Sequence, residues 1–241
     1  MCGYIRRVTD SPAVQELLEE LGMGDLFEPL VSEAPAGMEQ FYPAFGGNPD
    51  RQIRGLIIHE EGKPRLVDAT WWFDCKESGD TLEVGKRTTF NARNLDSPYW
   101  KGALRHHRGI VVAAGIGESK KIDGRKHQYL MEGTQPFLLG ALYRPFPNGQ
   151  YSCAVITRDA HIKFEPYHDR AFPLFLPSTQ EFIETWLAED IPQANEIDDL
   201  LEHPRLYATL NVEEVKTFKR GVISENAIVL AADEEGDLSS S

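Results

Sequence analysis

The sequence predicts an α+β or mostly β fold in a single domain, and three observations carry that expectation. Apolar runs are short and numerous, stretches with helical spacing are few, and Gly, Pro and Asn punctuate the chain at close intervals. The 241 residues are enough for one sizeable core with a small appendage. No internal repeat is found.

The elements follow in order. The first ten residues read as extended. Ser11-Pro12 sets a helix start, with Ser as N-cap and Pro at the first helical position. Leu17, Leu18 and Leu21 form its apolar stripe, and Gly22 ends it. Residues 34–51, rich in Pro, Gly and Asn, read as loop. Gly55 to His59 and Val67 to Phe73 read as strands, the second holding Trp71 and Trp72. Ser97-Pro98 starts a short helix to about Leu104. Gly109 to Ala114 is a buried strand that ends at Gly115. Phe137 to Tyr143 and Ser152 to Thr157 are strands parted by the Pro147 to Gly149 turn. Ser178-Thr-Gln-Glu181 is a capping box for a helix to about Leu187, and an acidic helix follows at Glu196 to Glu202. Val222 to Ala232 reads as a last strand turning at Glu225-Asn226. The domain, residues 1–232, thus divides into a motif-bearing segment (residues 1–177) and an acidic segment (residues 178–232). Residues 233–241 read as a disordered polar tail.

Composition narrows the function classes. No apolar run approaches the roughly 18 residues a membrane span needs. MCGYIRRVTD holds no apolar stretch of the secretory-signal kind. Cys2, Cys75 and Cys153 are too few and scattered for a disulfide framework, so a reducing cytoplasm is expected, nucleoid-associated if bacterial. The net charge of -13 argues against nucleic acid until its distribution is seen. Residues 178–241 hold 15 acids and 4 bases, whereas residues 1–177 hold 23 acids and 21 bases. The front of the chain can therefore carry a basic groove. Its clusters are Arg6-Arg7, Lys86-Arg87, Arg105 to Arg108 and Lys120 to Lys126, each of which read alone is a solvated surface.

Four positions carry chemistry. Cys2 and Gly3 are small, which favours removal of Met1 and leaves a cysteine with adjacent thiol and α-amine. An α-amine titrates near ~7.7–8.0 against ~10.4 for lysine, so at neutral pH it is the amine suited to attack an aldehyde. The thiol then closes on the imine as a five-membered thiazolidine. Thr88-Thr-Phe-Asn-Ala-Arg93 sets an amide and a guanidinium two residues apart, on one side of a strand. Asn91 there can hold an amine or substrate and Arg93 a phosphate. Glu118, in Ala114-Gly-Ile-Gly-Glu-Ser119, comes at the end of a buried strand, where desolvation would suit it to acid or base work. His168, Asp169 and Arg170 precede an apolar segment. Each has a bland alternative: an accidental cysteine, a structural Asn, a loop carboxylate, a structural His, and core tryptophans at 71 and 72.

Together these residues resemble the SRAP family, the SOS response-associated peptidases or abasic-site processing proteins. Cys2-Gly3, the FNAR stretch at 90–93, the strand-Gly-x-x-Glu at 110–118 and HDR-x-x-P at 168–173 carry the resemblance, in the family's order. It implies one α+β domain with a curved, barrel-like, mostly antiparallel sheet, peripheral helices and a groove for single-stranded DNA. It further implies that Cys2 cross-links to the ring-opened aldehyde of an abasic site, with Asn91 orienting the adduct, Glu118 as general acid/base and His168 assisting ring opening. Arg93 and Arg170 would bind flanking phosphates, and Trp71 or Trp72 would stack on a base. Met1 removal would be self-processing or the work of a host aminopeptidase. The expected partner is single-stranded DNA containing abasic sites, bound by a monomer without cofactor, metal or membrane; His106, His107 and His127 lack metal spacing. Two departures stand out: Tyr4 where the family usually has Arg, and Gly115-Ile-Gly-Glu-Ser119 where it is GFYEW-like. Two alternatives remain open: a glutamine amidotransferase of the N-terminal-nucleophile class, which also begins Met-Cys-Gly, and a non-catalytic DNA-binding module on the same fold.

Overall fold

Alternating and continuous apolar runs across residues 52–158 pair into a sheet that closes on itself. The computed structural model describes residues 3–32, 37–168, 170–218, 220–222 and 227–234. The first strand, β1 (Ile5–Val8), leads into α1 (Pro12–Glu20) and α2 (Phe27–Ser32). Strands β2 (Met38–Phe41), β3 (Gln52–Glu60) and β4 (Lys63–Thr70) follow, then the hairpin β5 (Cys75–Ser78) and β6 (Thr81–Val84) and the short β7 (Asn91–Ala92). Helix α3 (Pro98–His106) precedes the long strands β8 (Arg108–Ile122) and β9 (Arg125–Pro145), and β10 (Tyr151–Arg158) follows. The chain continues through β11 (Phe172–Pro173), β12 (Phe175–Leu176), α4 (Gln180–Leu187) and α5 (Asn195–Glu202). It ends in β13 (Leu210–Thr217), β14 (Arg220–Val222) and β15 (Ile228–Leu230).

β9, β10, β4, β3 and β8 pair in that order, and β8 returns to β9, which makes a closed five-stranded barrel. Closure removes the sheet edges within that ring. β10 runs parallel to β4 and β7; the other pairings are antiparallel, as expected. Strand alternation then sorts the apolar residues into two layers. Ile5, Val111, Ile116, Met131, Leu139 and Val155 fill the barrel, while Ile110, Val112, Leu138, Leu142 and Ile156 pack outward against the helices. Among the described residues no helix is long and apolar enough to cross a membrane.

Several elements depart from the sequence-based expectation. β8 does not stop at Gly115: a bulge between Ala113 and Gly115 bends the strand and its ladder with β9 continues to Ile122. The glycines are tolerated because the neighbouring β9 supplies the pairing. β2 lies inside the stretch that reads as loop, and β4 ends at Thr70, so Trp71 and Trp72 follow the strand. α4 starts from Thr179, with no side-chain cap bond, so the capping box does not form. Ser11 sits at the N-cap of α1, but its side chain makes no cap bond either. β13 escapes the pattern reading, because Glu213-Glu214 breaks its alternation. β14 and β15 lie within or beside the expected last strand, and the turn at Glu225-Asn226 lies outside the described residues.

Two basic clusters turn inward. Arg7 is buried and donates to Glu39 at 2.7 Å, while Arg6 pairs with Glu132. Arg108, also buried, donates to carbonyls of Leu104 and Arg105 at the end of α3 and of Trp186 and Ala188 at the end of α4. It is a cation shared by two helix C-termini, where carbonyls lack partners within the helix. Asp233, which the sequence places at the start of a polar tail, accepts from the Leu206 N–H at 2.7 Å and pairs with Lys163 at 2.6 Å and His161 at 3.0 Å. Residues 235–241 lie outside the described residues.

Candidate active site

Register brings the beginning of the chain to the motif-bearing strand. β1 pairs with β8 through Ile5↔Ile116 and Arg6↔Gly115, and the Gly117 N–H donates to the Tyr4 carbonyl at 2.9 Å. Continued by one residue, that antiparallel register sets Gly3 beside Glu118. Cys2 itself lies outside the described residues. The two described cysteines are free, buried and poor nucleophiles: burial pushes the Cys75 thiol up to about 12 and Cys153 well above its ordinary value.

Glu118 lies two residues after Ile116 on the same strand face, so it points toward the barrel interior, and it is 1% exposed. Burial pushes its carboxyl above the usual carboxylate range, and the neighbouring His168 works against that rise. The His168 Nδ1 lies 3.0 Å from the Ser119 carbonyl oxygen and 3.7 Å from Glu118 Oε2. A carbonyl can only accept, so Nδ1–H donates to it, and whenever the ring is neutral its lone pair lies on Nε2. Ring orientation and tautomer are therefore set by the backbone of the same strand that presents Glu118.

Asn91 reaches the same interior by another route. β7 takes over from β4 as the neighbour of β10, with Asn91↔Val155 in register, and Val155 is an interior residue. Arg93 does not continue on that side, because β7 ends at Ala92. It turns out to solvent and pairs with Asp159 at 2.8 Å, and this guanidinium holds the Asp159 carboxyl below its usual range. Exposed pairs of this kind contribute little, so a phosphate can replace the carboxylate. Arg170 is exposed, and Asp169 lies outside the described residues.

The tryptophans do not offer a stacking face. Trp71 is fully buried and its indole N–H donates to the Phe90 carbonyl at 2.8 Å; Trp72 is 5% exposed, donates to the Gly85 carbonyl and stacks on Phe90. The exposed ring at this place is Phe45, 48% accessible and edge-on to both Trp72 and Phe90. It lies in the Pro/Gly/Asn-rich stretch that reads as loop, followed directly by Gly46-Gly47, and no pattern in the sequence singles it out.

Both sequence departures find a physical account in Phe218. Its ring stacks on Tyr4 at 4.8 Å, and a Cβ on Gly117 would come within 2.6 Å of it. The aromatic surface expected at position 117 is thus supplied from the end of β13, and Tyr4, fully buried, is its packing partner. Gly117→Tyr alone is expected to destabilise the fold by overpacking, about 1–3 kcal/mol, and Phe218→Ala by leaving a cavity, about 1–3 kcal/mol because the ring is only half-buried. The double variant is expected to recover a large part of either loss. Strictly additive losses in a double-mutant cycle would show that the two positions do not share one space.

The sequence matches the family model of the SOS response associated peptidases (SRAP) over residues 1–218. The chain belongs to the SRAP family. Membership gives it a DNA-damage-related role in the SOS response and a peptidase-like or abasic-site-processing character. Among curated proteins none matches the chain. Its fold is similar to that of a phage-related protein from Bordetella bronchiseptica, at TM-score 0.62 and 20% identity, covering 90% of this chain and 95% of that one. A protein from Bacteroides thetaiotaomicron is similar at TM-score 0.61 and 17% identity, covering 91% and 95%. At such identities the likeness speaks to the SRAP fold alone. Among the described residues no cluster of His, Cys, Asp and Glu is placed to hold a metal ion.

Proposed function

We propose that this SRAP protein captures abasic sites in single-stranded DNA by a covalent cross-link through Cys2, after Met1 has been removed by self-processing or by a host aminopeptidase. The observation that carries the reading is the buried Glu118–His168 pair at 3.7 Å, on the strand beside which the register runs Gly3. An abasic site is mostly a closed hemiacetal. Opening it needs proton transfer to the ring oxygen and from the hydroxyl. A carboxyl whose pKa burial raises, beside an imidazole that can take a proton on Nε2, can supply both.

The chemistry balances without a cofactor. The α-amine of Cys2 adds to the C1′ aldehyde, and one water leaves as the imine forms. The thiol sulfur then bonds to the same carbon, its proton passes to the nitrogen, and a thiazolidine results. Asn91 orients the adduct, and Arg93 and Arg170 hold flanking phosphates. Phe45 takes the stacking role that the buried tryptophans cannot fill.

The test is a denaturing gel. Protein shown by intact mass to begin at Cys2 is mixed with a single-stranded oligonucleotide carrying one abasic site, beside an undamaged oligonucleotide and a Cys2→Ala control. A band that survives denaturant and needs both lesion and Cys2 is expected. Its absence would remove the cross-linking function and leave the non-catalytic module; glutamine hydrolysis in its place would favour the amidotransferase alternative.

A further inference from the structure

Of the basic clusters in the front of the chain, one projects away from the barrel. β8 and β9 continue beyond their other neighbours: β1 is registered with β8 at Gly115 and Ile116, and the register of β13 with β9 ends at Gln128. Past Ser119 and Gln128 the two strands pair with each other alone, through Lys120↔His127, Lys121↔Lys126 and Ile122↔Arg125. Asp123 and Gly124, at φ 49 and 80, close the ribbon in the two-residue turn that needs left-handed backbone at both central positions. Residues 121–126 are all exposed. The ribbon begins two residues after Glu118.

Its charges are not balanced from within. Residues 119–128 hold four Lys or Arg against one Asp, in a chain of net charge -13. Lys120 is used by the Glu165 carbonyl and His127 by Glu214, but Lys121, Arg125 and Lys126 have no ion-pair partner among the described residues. Lys121 stands directly opposite Lys126, and like charges across a ladder destabilise a ribbon. A solvated surface gains nothing from that arrangement. A row of phosphates removes the repulsion.

We propose that this ribbon is a phosphate-binding arm that holds the backbone of a nucleic-acid strand beside the Glu118 site, with Lys121, Arg125 and Lys126 as its contacts. Strand alternation puts Arg125 on the face that continues from Glu118 and the two lysines on the other, so the arm is basic on both sides. A nucleic acid suits it better than an acidic protein, because the arm prolongs the strand that carries the site where DNA is proposed to react. The choice of a single strand rests on that functional reading; the arm's preference for phosphate does not. Because the whole chain repels polyanions at long range, a local patch of this kind has to supply the attraction.

The test uses undamaged single-stranded oligonucleotide and the Cys2→Ala chain, so that no covalent chemistry enters. Affinity is followed by fluorescence anisotropy over a range of NaCl concentrations. Lys121→Gln/Lys126→Gln is expected to bind several-fold more weakly at low salt. The slope of log affinity against log salt should fall by about 1.4, roughly 0.7 for each lysine neutralised. Lys121→Arg/Lys126→Arg should keep the parent slope, which excludes a folding defect at these positions. An unchanged slope and affinity in the Gln variant would overturn the arm, whatever the cross-linking gel shows. Binding of poly-glutamate in place of DNA, with the same dependence on the lysines, would overturn it in favour of a protein-docking surface. Loss of undamaged-DNA binding in the Gln variant, together with no cross-link in the parent, would uphold the arm and reject the covalent function.

Discussion

Glu118→Gln is expected to slow cross-linking to an abasic site by about 10²–10⁴-fold while leaving the fold intact. Glutamine keeps the shape and hydrogen-bonding capacity of the carboxyl but cannot move a proton, and the proposed role is proton transfer. The same variant also tests the buried state of the carboxyl. Burial raises its pKa, so above the ordinary carboxylate range the folded chain keeps a proton that the unfolded chain has lost. Stability held below that range is therefore lost as pH rises through the raised value. Glutamine has no such titration. The melting temperature of Glu118→Gln relative to the parent should thus climb as pH is raised from the carboxylate range toward neutrality. A parent-like cross-linking rate would remove Glu118 from the reaction. A melting difference that does not vary with pH would mean the carboxyl is not held protonated by its surroundings.

Arg108→Met is expected to lose about 3–5 kcal/mol of stability, because several buried carbonyls lose their donor at about 1–3 kcal/mol each and some regain water. The guanidinium donates to Trp186 at 2.5 Å, Ile191 at 2.7 Å, Leu104 and Ala188 at 2.8 Å and Arg105 at 3.1 Å, with Thr185 at 3.4 Å. Methionine fills most of the volume but leaves those carbonyls without a donor. Burial lowers the Arg108 pKa to about 10, so it remains a cation at neutral pH. For a chain of this length the loss corresponds to a fall in melting temperature on the order of 10 °C. Arg108→Lys should fall in between, since one ammonium cannot serve two helix ends from a planar fork. Urea or thermal unfolding checks both. A loss below about 1 kcal/mol in Arg108→Met would show that water satisfies these carbonyls and that the residue does not tie α3 to α4. Arg108 is the first residue of the strand that carries Glu118, so the same network fixes the site's frame from its far end.

Local order in the chain was enough for the α+β class, the helices with their Pro starts, the apolar run at 109–114 and the family resemblance. Each of these is written in a short succession of residues: a Ser-Pro dipeptide, a β-branched run, or four motifs in a fixed order. Glu118 and His168 were legible as candidates because residue type and neighbours carry the chemistry. Which side chains meet was not legible. Residues 118 and 168 come together because the His168 ring meets the Ser119 carbonyl, and no spacing in the chain encodes that. The barrel depends on β8 pairing with both β3 and β9, a long-range match invisible to periodicity. Burial sorted charges that look alike in sequence: Arg7 and Arg108 went into internal networks, Trp71 and Trp72 into the core, and Lys121, Arg125 and Lys126 onto an exposed ribbon. A side chain's type sets what it can do. Whether it meets water, a carbonyl or a ligand is set by which strands happen to lie beside it, and that is a property of the closed sheet.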